Sequence, residues 1–186
     1  MSSHDETRND DELVASAVGG NVRAFEALLT RHQGKVLRVL RLLGVRQDDV
    51  EDTAQEVFLR AFRGLHGFKK GRPFGAWIYR ITVNAAMDHR GRERARLQDH
   101  DEVSSERLSE LPGVVPELDM EAARLRGRLL AALAALTDRE RAVFVLKEIE
   151  GLDNGEIAVA LRVSRITVRR HLGLARDRLR GILSAG

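Results

Sequence analysis

The sequence predicts an all-α protein with two small helical domains joined by a flexible acidic linker. Apolar residues recur at spacings of three and four through long windows of the 186-residue chain, and no window shows sustained alternation. Only three prolines occur, and two of them, Pro112 and Pro116, lie in an acidic stretch that also holds Gly113 and several serines. Such a composition interrupts helices and favours a solvated tether, so we expect one domain on either side of it.

The two ends of the chain differ in charge from its middle. Residues 98–121 carry seven net negative charges, whereas residues 155–186 carry five net positive charges. A basic tail beside an acidic middle predicts a polyanionic partner for the C-terminal end. The expected organisation is a disordered N-terminus at 1–9, an N-terminal domain at 10–95, the linker at 96–120 and a C-terminal domain at 121–186.

Composition argues against several classes of function. The chain has no cysteine, which removes disulfides, thiolate metal sites and thiol redox sensing. No apolar run approaches the ~18 residues that span a bilayer, and the N-terminus is acidic, so we expect no membrane insertion and a cytoplasmic location. The histidines lie apart, without metal-ligand spacing, and no phosphate-binding glycine loop or nucleophile elbow occurs. We therefore predict no catalytic residue, no metal, no cofactor and no enzyme activity of the chain on its own.

Capping residues predict where helices of the N-terminal domain begin. Asn21 suits the N-cap of the second helix, and Asp48 with Glu51 resembles a capping box. Pro73 suits the first residue of the last helix of this domain. The helix that Asp48 would open should bury one apolar stripe, formed by Val50, Ala54, Val57, Phe58, Ala61 and Leu65.

The C-terminal domain carries three further helix starts. Thr137 and Glu140 form one capping box, and Asp153 and Glu156 form another. Ser164 is expected to cap the final helix. These signals predict three helices that follow one another at short intervals after a first helix near residues 125–136.

The segment GLDNGEIAVALRVSRITVRRHL follows the rules of a helix-turn-helix, the motif whose second helix enters the major groove of DNA. Val163 fills the turn, while Val168 and Leu172 anchor the second helix to the core. Arg162 occupies a turn position that favours glycine, because a positive φ is expected there. The inward residues of the first helix are Ile157, Ala158 and Leu161. Arginine matches guanine edges and phosphates alike. The residues expected to contact DNA are Arg165, Thr167, Arg169, Arg170, His171 and Arg176.

Two families share the features of this tail. The string LTDRERAVFVLKEIEGLDNGEIAVALRVSRITVRRHL resembles sigma domain four, the reader of the −35 promoter element, and equally the DNA-binding domain of LuxR-type regulators. The N-terminal string EDTAQEVFLRAFRGLHGFKKGRPFGAWIYRITVNAAMDHRGRER resembles sigma domain two over its full length. The order of the two resemblances favours a bacterial RNA polymerase sigma factor of the extracytoplasmic-function (ECF) group. A stand-alone LuxR-like regulator is the alternative.

The resemblance implies a docking surface for core RNA polymerase. In the family, a helix with the pattern DxAQEVF binds the clamp helices of the β′ subunit. The matching positions here are Asp52, Gln55, Glu56, Phe58 and Leu59. Glu56 also stands four residues before Arg60, so an exposed ion pair within one helix is the simpler interpretation of that residue.

The resemblance also implies a site for the −10 element. Family members capture a flipped base at the loop that matches 68–74, and Asn84 matches a polar residue that hydrogen-bonds this base. An unstacked base needs a polar edge reader and an apolar or aromatic wall. The alternative for Trp77 is ordinary packing in the core, and the alternative for the arginines is a solvated, charged surface without a DNA contact. The implied residues are Phe68, Lys69, Lys70, Arg72, Phe74, Trp77, Arg80, Asn84 and Arg90.

Three kinds of partner follow from the resemblance. They are core polymerase, through the β′ clamp helices and the β flap; promoter DNA; and an anti-sigma factor that holds the protein inactive. The acidic linker separates two basic segments, and a polymerase channel that carries phosphates must be positively charged. We therefore predict that the linker threads such a channel as a nucleic-acid mimic, with a plain tether as the alternative.

Overall fold

The computed structural model describes residues 9–69, 71–99 and 120–184, which form helices with no strand among them. The N-terminal domain contains four α-helices and two short 3-10 turns. These are α1 (Asp10–Val18), α2 (Val22–Leu42), the turn Gln47–Asp49, α3 (Val50–Gly64), the turn Leu65–Gly67 and α4 (Phe74–Asp99). Helix α4 continues past residue 95, the expected end of this domain, while residues 100–119 of the linker lie outside the described part of the chain.

Helix starts in this domain follow the predictions only in part. Asn21 caps α2 by accepting a hydrogen bond from the backbone N–H of Ala24 at 3.3 Å, as expected. The capping box predicted at Asp48 is wrong. The 3-10 turn runs directly into α3, so Asp48 lies inside a turn, and no side-chain cap forms at Asp49. Helix α4 begins at Phe74, one residue later than predicted from the proline.

The core of the N-terminal domain lies between α2, α3 and α4, with α1 packed against α2. The predicted stripe of α3 is buried except for Phe58, which is partly buried against the core. Helix α4 carries buried residues around most of its circumference in its first half, including Ile78, Tyr79 and Val83. A helix that is apolar all round is covered on more than one face.

The C-terminal domain contains α5 (Met120–Ala134), α6 (Asp138–Phe144), a π-helical turn (Val145–Ile149), α7 (Asn154–Leu161) and α8 (Arg165–Ser184). Both predicted capping boxes form, at Thr137 with Glu140 and at Asp153 with Glu156. The Ser164 hydroxyl accepts a hydrogen bond from the N–H of Thr167 at 3.0 Å, as predicted for the start of α8. The helix after Thr137 was expected to be regular, and the π-helical turn at its C-terminal end was not foreseen.

The two domains pack against each other, chiefly through α4 and α7. The sequence predicted two domains on a tether and gave no indication of this contact. It covers part of α4 in addition to the packing of this helix against α2 and α3.

Candidate functional site

The turn of the helix-turn-helix has the geometry that its sequence predicted. Arg162 adopts the left-handed conformation, with φ 55° and ψ 46°, at the C-terminal end of α7. This confirms the expected conflict, because a left-handed backbone favours glycine over a residue with a Cβ. Val163 is partly buried, and Val168 and Leu172 are buried in the core. The turn and the two anchors therefore fix α8 against α7.

The first turns of α8 expose a row of positive charge. Arg165, Arg169 and Arg170 are exposed, while Thr167 and His171 are half-buried. The Thr167 hydroxyl lies 2.8 Å from that of Ser164 and so belongs to the cap of the helix. This placement leaves three guanidinium groups available at the N-terminal half of the second helix of the motif.

The C-terminal half of α8 uses its arginines differently. Arg176 donates a hydrogen bond to Glu148 at 2.6 Å, although the sequence assigned it to DNA contact. Arg178 donates to Glu140 at 2.5 Å, and the side chain of Glu140 is only 3% exposed. Arg178 therefore joins α8 to α6. Sequence reasoning did not find this structural role, because the two residues lie in different helices with no local spacing rule to connect them.

Helix α3 presents the predicted polymerase-docking positions on one side of the domain. Asp52, Gln55 and Leu59 are exposed, and Phe58 is partly buried. Glu56 accepts a hydrogen bond from Arg60 at 2.7 Å, so the ion pair within the helix does form. That hydrogen bond lowers the pKa of the Glu56 carboxyl despite the opposing effect of desolvation.

An exposed apolar side chain lies beside these positions and was missed at the level of sequence. Phe62 is 51% exposed, and Leu59, one turn earlier in α3, is 49% exposed. The ring of Phe62 packs against Phe25 of α2 with centroids 5.2 Å apart. Its position off the buried stripe was the available signal. Two large apolar side chains next to polar ones form a surface suited to a partner helix.

The aromatic residues at the start of α4 form a cluster. Trp77 packs edge-on against Phe68 and at a tilt against Phe74, with ring centroids 5.2 Å and 5.4 Å apart. Phe68 is buried and Phe74 is only 1% exposed. Both phenylalanines therefore fill the core beside Trp77, and their assignment to the −10 element stays a prediction. Trp77 itself is half-buried, so it combines packing with an accessible edge.

The other residues assigned to the −10 element differ in their exposure to solvent. Lys69, Arg72 and Asn84 are exposed, and Lys70 lies outside the described residues. Arg80 is half-buried. Burial, together with the positive charges of Arg162 and Arg72, lowers the pKa of Arg80.

Arg90 points toward the other domain. Its guanidinium donates to the backbone carbonyl of Leu43 at 3.1 Å and pairs with Asp138 of α6 at 2.7 Å. The Arg90 guanidinium, which was expected to contact a DNA phosphate, thus binds a carboxylate of the C-terminal domain.

Other kinds of site find no support among the residues that the structure describes. No group of three His, Cys, Asp or Glu side chains in residues 9–69, 71–99 and 120–184 is arranged to hold a metal ion. Within the same ranges, no helix is both long enough and apolar enough to cross a membrane.

Family models match both halves of the chain in the order that the fold suggests. The model described as Sigma-70 region 2 matches residues 28–96, and that described as Sigma-70, region 4 matches residues 126–179. RNA polymerase sigma factor CnrH of Cupriavidus metallidurans is 33% identical, with 95% of each chain covered. The ECF RNA polymerase sigma-E factor of Escherichia coli is 32% identical over 92% of this chain and 93% of its own.

This chain belongs to the ECF group of RNA polymerase sigma factors. The solved structure of CnrH in complex with the cytosolic domain of CnrY agrees, with a TM-score of 0.71, 32% identity and coverage of 95% of this chain and 97% of that one. As a sigma factor, the protein binds core RNA polymerase and directs it to specific promoters to initiate transcription. The LuxR-like alternative is unsupported, because the N-terminal half matches Sigma-70 region 2.

Proposed function

We propose that the exposed side of α3 is the surface of this sigma factor that binds the β′ clamp helices of core polymerase. Gln55 and Leu59 are exposed there, and Phe62 extends the surface with a second accessible apolar side chain. Aromatic and aliphatic anchors beside polar groups are what a helix–helix interface uses. The observation that carries the proposal is this exposure, since neither Leu59 nor Phe62 is needed to fill the core.

Promoter reading divides between α4 and α8 in this proposal. Asn84 and the exposed cations Lys69 and Arg72 engage the unstacked −10 strand, while Trp77 provides an aromatic edge. Arg165, Arg169 and Arg170 read the −35 element from the major groove. The protein acts without catalysing a reaction of its own, in the cytoplasm where polymerase and promoter DNA are found.

Two further partners belong to the same proposal. The C-terminal domain contacts the β flap of polymerase, which supports the placement of α8 at the −35 element. A protein inhibitor holds the sigma factor inactive, by analogy with CnrH, whose solved structure contains the cytosolic domain of CnrY.

Binding to purified core polymerase tests the docking surface. The double variant Gln55→Ala/Glu56→Ala should lose affinity for core while its helicity and melting temperature stay close to those of the wild type. Both residues lie off the buried stripe, so the fold does not depend on them. The matched control is Glu26→Ala/Gln33→Ala, which removes the same residue types from exposed positions on α2. Wild-type affinity of the α3 variant for core would show that this assignment is wrong.

A further inference from the structure

Carboxylates of the C-terminal domain form ion pairs with arginines of the N-terminal domain. Asp138, at the start of α6, pairs with Arg90 at 2.7 Å and also binds Arg94, one turn further along α4. Arg90 is one of the residues assigned to the −10 strand. A carboxylate between two guanidinium groups carries the same single negative charge as a DNA phosphate at that place, and arginine donates hydrogen bonds to both kinds of group.

A second carboxylate repeats this arrangement at the other end of the interface. One oxygen of Glu150 accepts hydrogen bonds from Nε and Nη2 of Arg38 at 2.9 Å and 2.7 Å, and the other accepts from the Tyr79 hydroxyl. The Glu150 side chain is 2% exposed, so these N-terminal-domain groups replace its water. Burial and the Glu150 charge together raise the pKa of Tyr79. A buried carboxylate without such partners would be strongly unfavourable, so the contacts of Glu150 hold the two domains together.

A third contact joins a side chain of the C-terminal domain to the backbone of the N-terminal domain. Arg141 of α6 is buried and donates to the carbonyls of Leu133 in its own domain, at 2.7 Å, and of Leu43 at the end of α2, at 3.3 Å. Burial lowers the pKa of Arg141 to about 10. Gly44 has φ +83°, and a Cβ at this position would overlap Nη1 of Arg141. The glycine therefore serves both the local turn and the approach of the C-terminal domain.

Repulsion works against these contacts. Arg80 of α4 lies close enough to Arg162, in the turn of the helix-turn-helix, and to Arg72 for both charges to lower its pKa. The interface thus combines attractive pairs at the start of α6 and just after the π-helical turn with like charges at the turn after α7. Such a balance makes opening accessible to a competing ligand that satisfies the same arginines.

We propose that this sigma factor closes on itself when free, with Asp138 standing in for a DNA phosphate at Arg90 and Arg94 and with Glu150 holding the two domains together at Arg38 and Tyr79. The inference rests on the proposed role of α4 in binding the −10 strand. In the closed state, α7 packs on α4, and α8 follows α7 directly. The −10 and −35 elements are centred about 25 base pairs apart, on the order of 85 Å along B-DNA. The closed chain cannot read both elements, so promoter engagement requires the interface to open and releases Arg90 and Arg94 for phosphates.

Interdomain distance tests closure without any DNA. Because the chain has no cysteine, Gly34→Cys on α2 and Gly173→Cys on α8 give two specific sites for spin labels, and a side chain fits at both positions. The free full-length protein should show one narrow distance distribution. Gly44→Ala should broaden it and shift it to longer distances. Gly20→Ala is the matched control, since Gly20 also has a positive φ, of +93°, but has open space around it. A broad wild-type distribution centred at long distances, no different from that of Gly44→Ala, would overturn the closed state.

The affinity for single-stranded DNA tests whether the interdomain carboxylates compete with DNA phosphates for the arginines of α4. Asp138→Asn/Glu150→Gln should bind a labelled random-sequence single-stranded oligonucleotide more tightly than the wild type does. The gain is about tenfold if the closed state holds about nine-tenths of the molecules, because apparent affinity scales with the open fraction. Asp11→Asn/Glu12→Gln makes the same change in net charge at exposed positions on α1 and should gain much less.

Two results separate the inference from the proposed function. The spin labels can report opening while Asp138→Asn/Glu150→Gln and the α1 control bind the oligonucleotide with equal affinity. In that case the carboxylates do not compete with DNA, and the inference is overturned. The proposed role of α4 at the −10 strand is measured separately, by open-complex formation with Asn84→Ala, so failure of that role is distinguishable from failure of the carboxylate competition.

Discussion

The carboxylate of Glu140 joins the start of α6 to the DNA-reading helix, because one of its oxygens accepts both the Thr137 N–H at 3.0 Å and Arg178 of α8 at 2.5 Å. The same residue completes the capping box of α6. With its side chain only 3% exposed, Glu140 has no water to replace these partners. A single buried oxygen therefore fixes a helix start and also ties α8 to it, in addition to the buried anchors Val168 and Leu172.

We expect Glu140→Gln to destabilise the C-terminal domain by about 2 kcal/mol, because it weakens a charge-assisted hydrogen bond and leaves Arg178 without its carboxylate. Thermal unfolding measures the effect. Glu156→Gln is the control, since Glu156 occupies the same position in the capping box of α7 and is more exposed. Equal shifts in melting temperature for the two variants would mean that the link to Arg178 adds nothing beyond the cap.

Arg169 and Arg170 are expected to carry base recognition at the −35 element. Arg169→Ala should weaken binding to a preferred −35 sequence by roughly 1–3 kcal/mol. At one base pair of this element, the variant should also discriminate less between the four bases. Titration of holoenzyme against a panel of −35 variants measures this. Arg180→Ala at the far end of α8, where Arg180 pairs with Asp177, is the control. A uniform loss across all the sequences would identify Arg169 as a phosphate contact and not a base reader.

Local signals in the sequence predicted the C-terminal domain well. Two capping boxes and the cap at Ser164 form as expected, and even the strained turn at Arg162 has the left-handed backbone that its position required. Each of these features depends on residues within a few positions of one another. Short-range hydrogen bonds and steric limits decide such features, so the sequence contains the information directly.

Features that depend on distant residues were not predictable in the same way. Phe74 had the right chemistry to face a base, yet it fills a core position that only the packing of α2 and α3 creates. Glu150 lies far along the chain from Arg38 and Tyr79, so no spacing rule connects them. Asp48 had a capping-box partner at the correct distance, but it lies inside a 3-10 turn that runs directly into α3.

Asn84 and the loop before α4 are expected to act in melting and not in duplex binding. Asn84 is exposed, so Asn84→Ala should leave the fold intact while impairing open-complex formation on duplex promoters. Potassium permanganate footprinting of open complexes measures this step. Templates with a pre-opened bubble provide the control, because they bypass melting and should show a smaller defect. Equal activity of the variant and the wild type on duplex templates would contradict the assignment.

The acidic linker is expected to occupy a positively charged channel of polymerase before RNA does. Its residues 100–119 lie outside the described part of the chain, so this prediction depends on composition alone. Replacing its acids with Ser and Gln at constant length should weaken core binding and alter abortive initiation and promoter escape. A shuffled linker of unchanged composition is the control for sequence. Unchanged core affinity together with an unchanged abortive pattern would show that the linker is only a tether.

Transcription from a randomised promoter library with purified core polymerase tests whether α4 and α8 read a promoter. Core with this protein should produce transcripts absent from core alone, and their templates should share two upstream motifs near −35 and −10. Arg169→Ala should change only the first motif, because α8 reads it, and Asn84→Ala should affect the second. No transcripts beyond those of core alone, or start sites without shared upstream elements, would contradict promoter reading by these two helices.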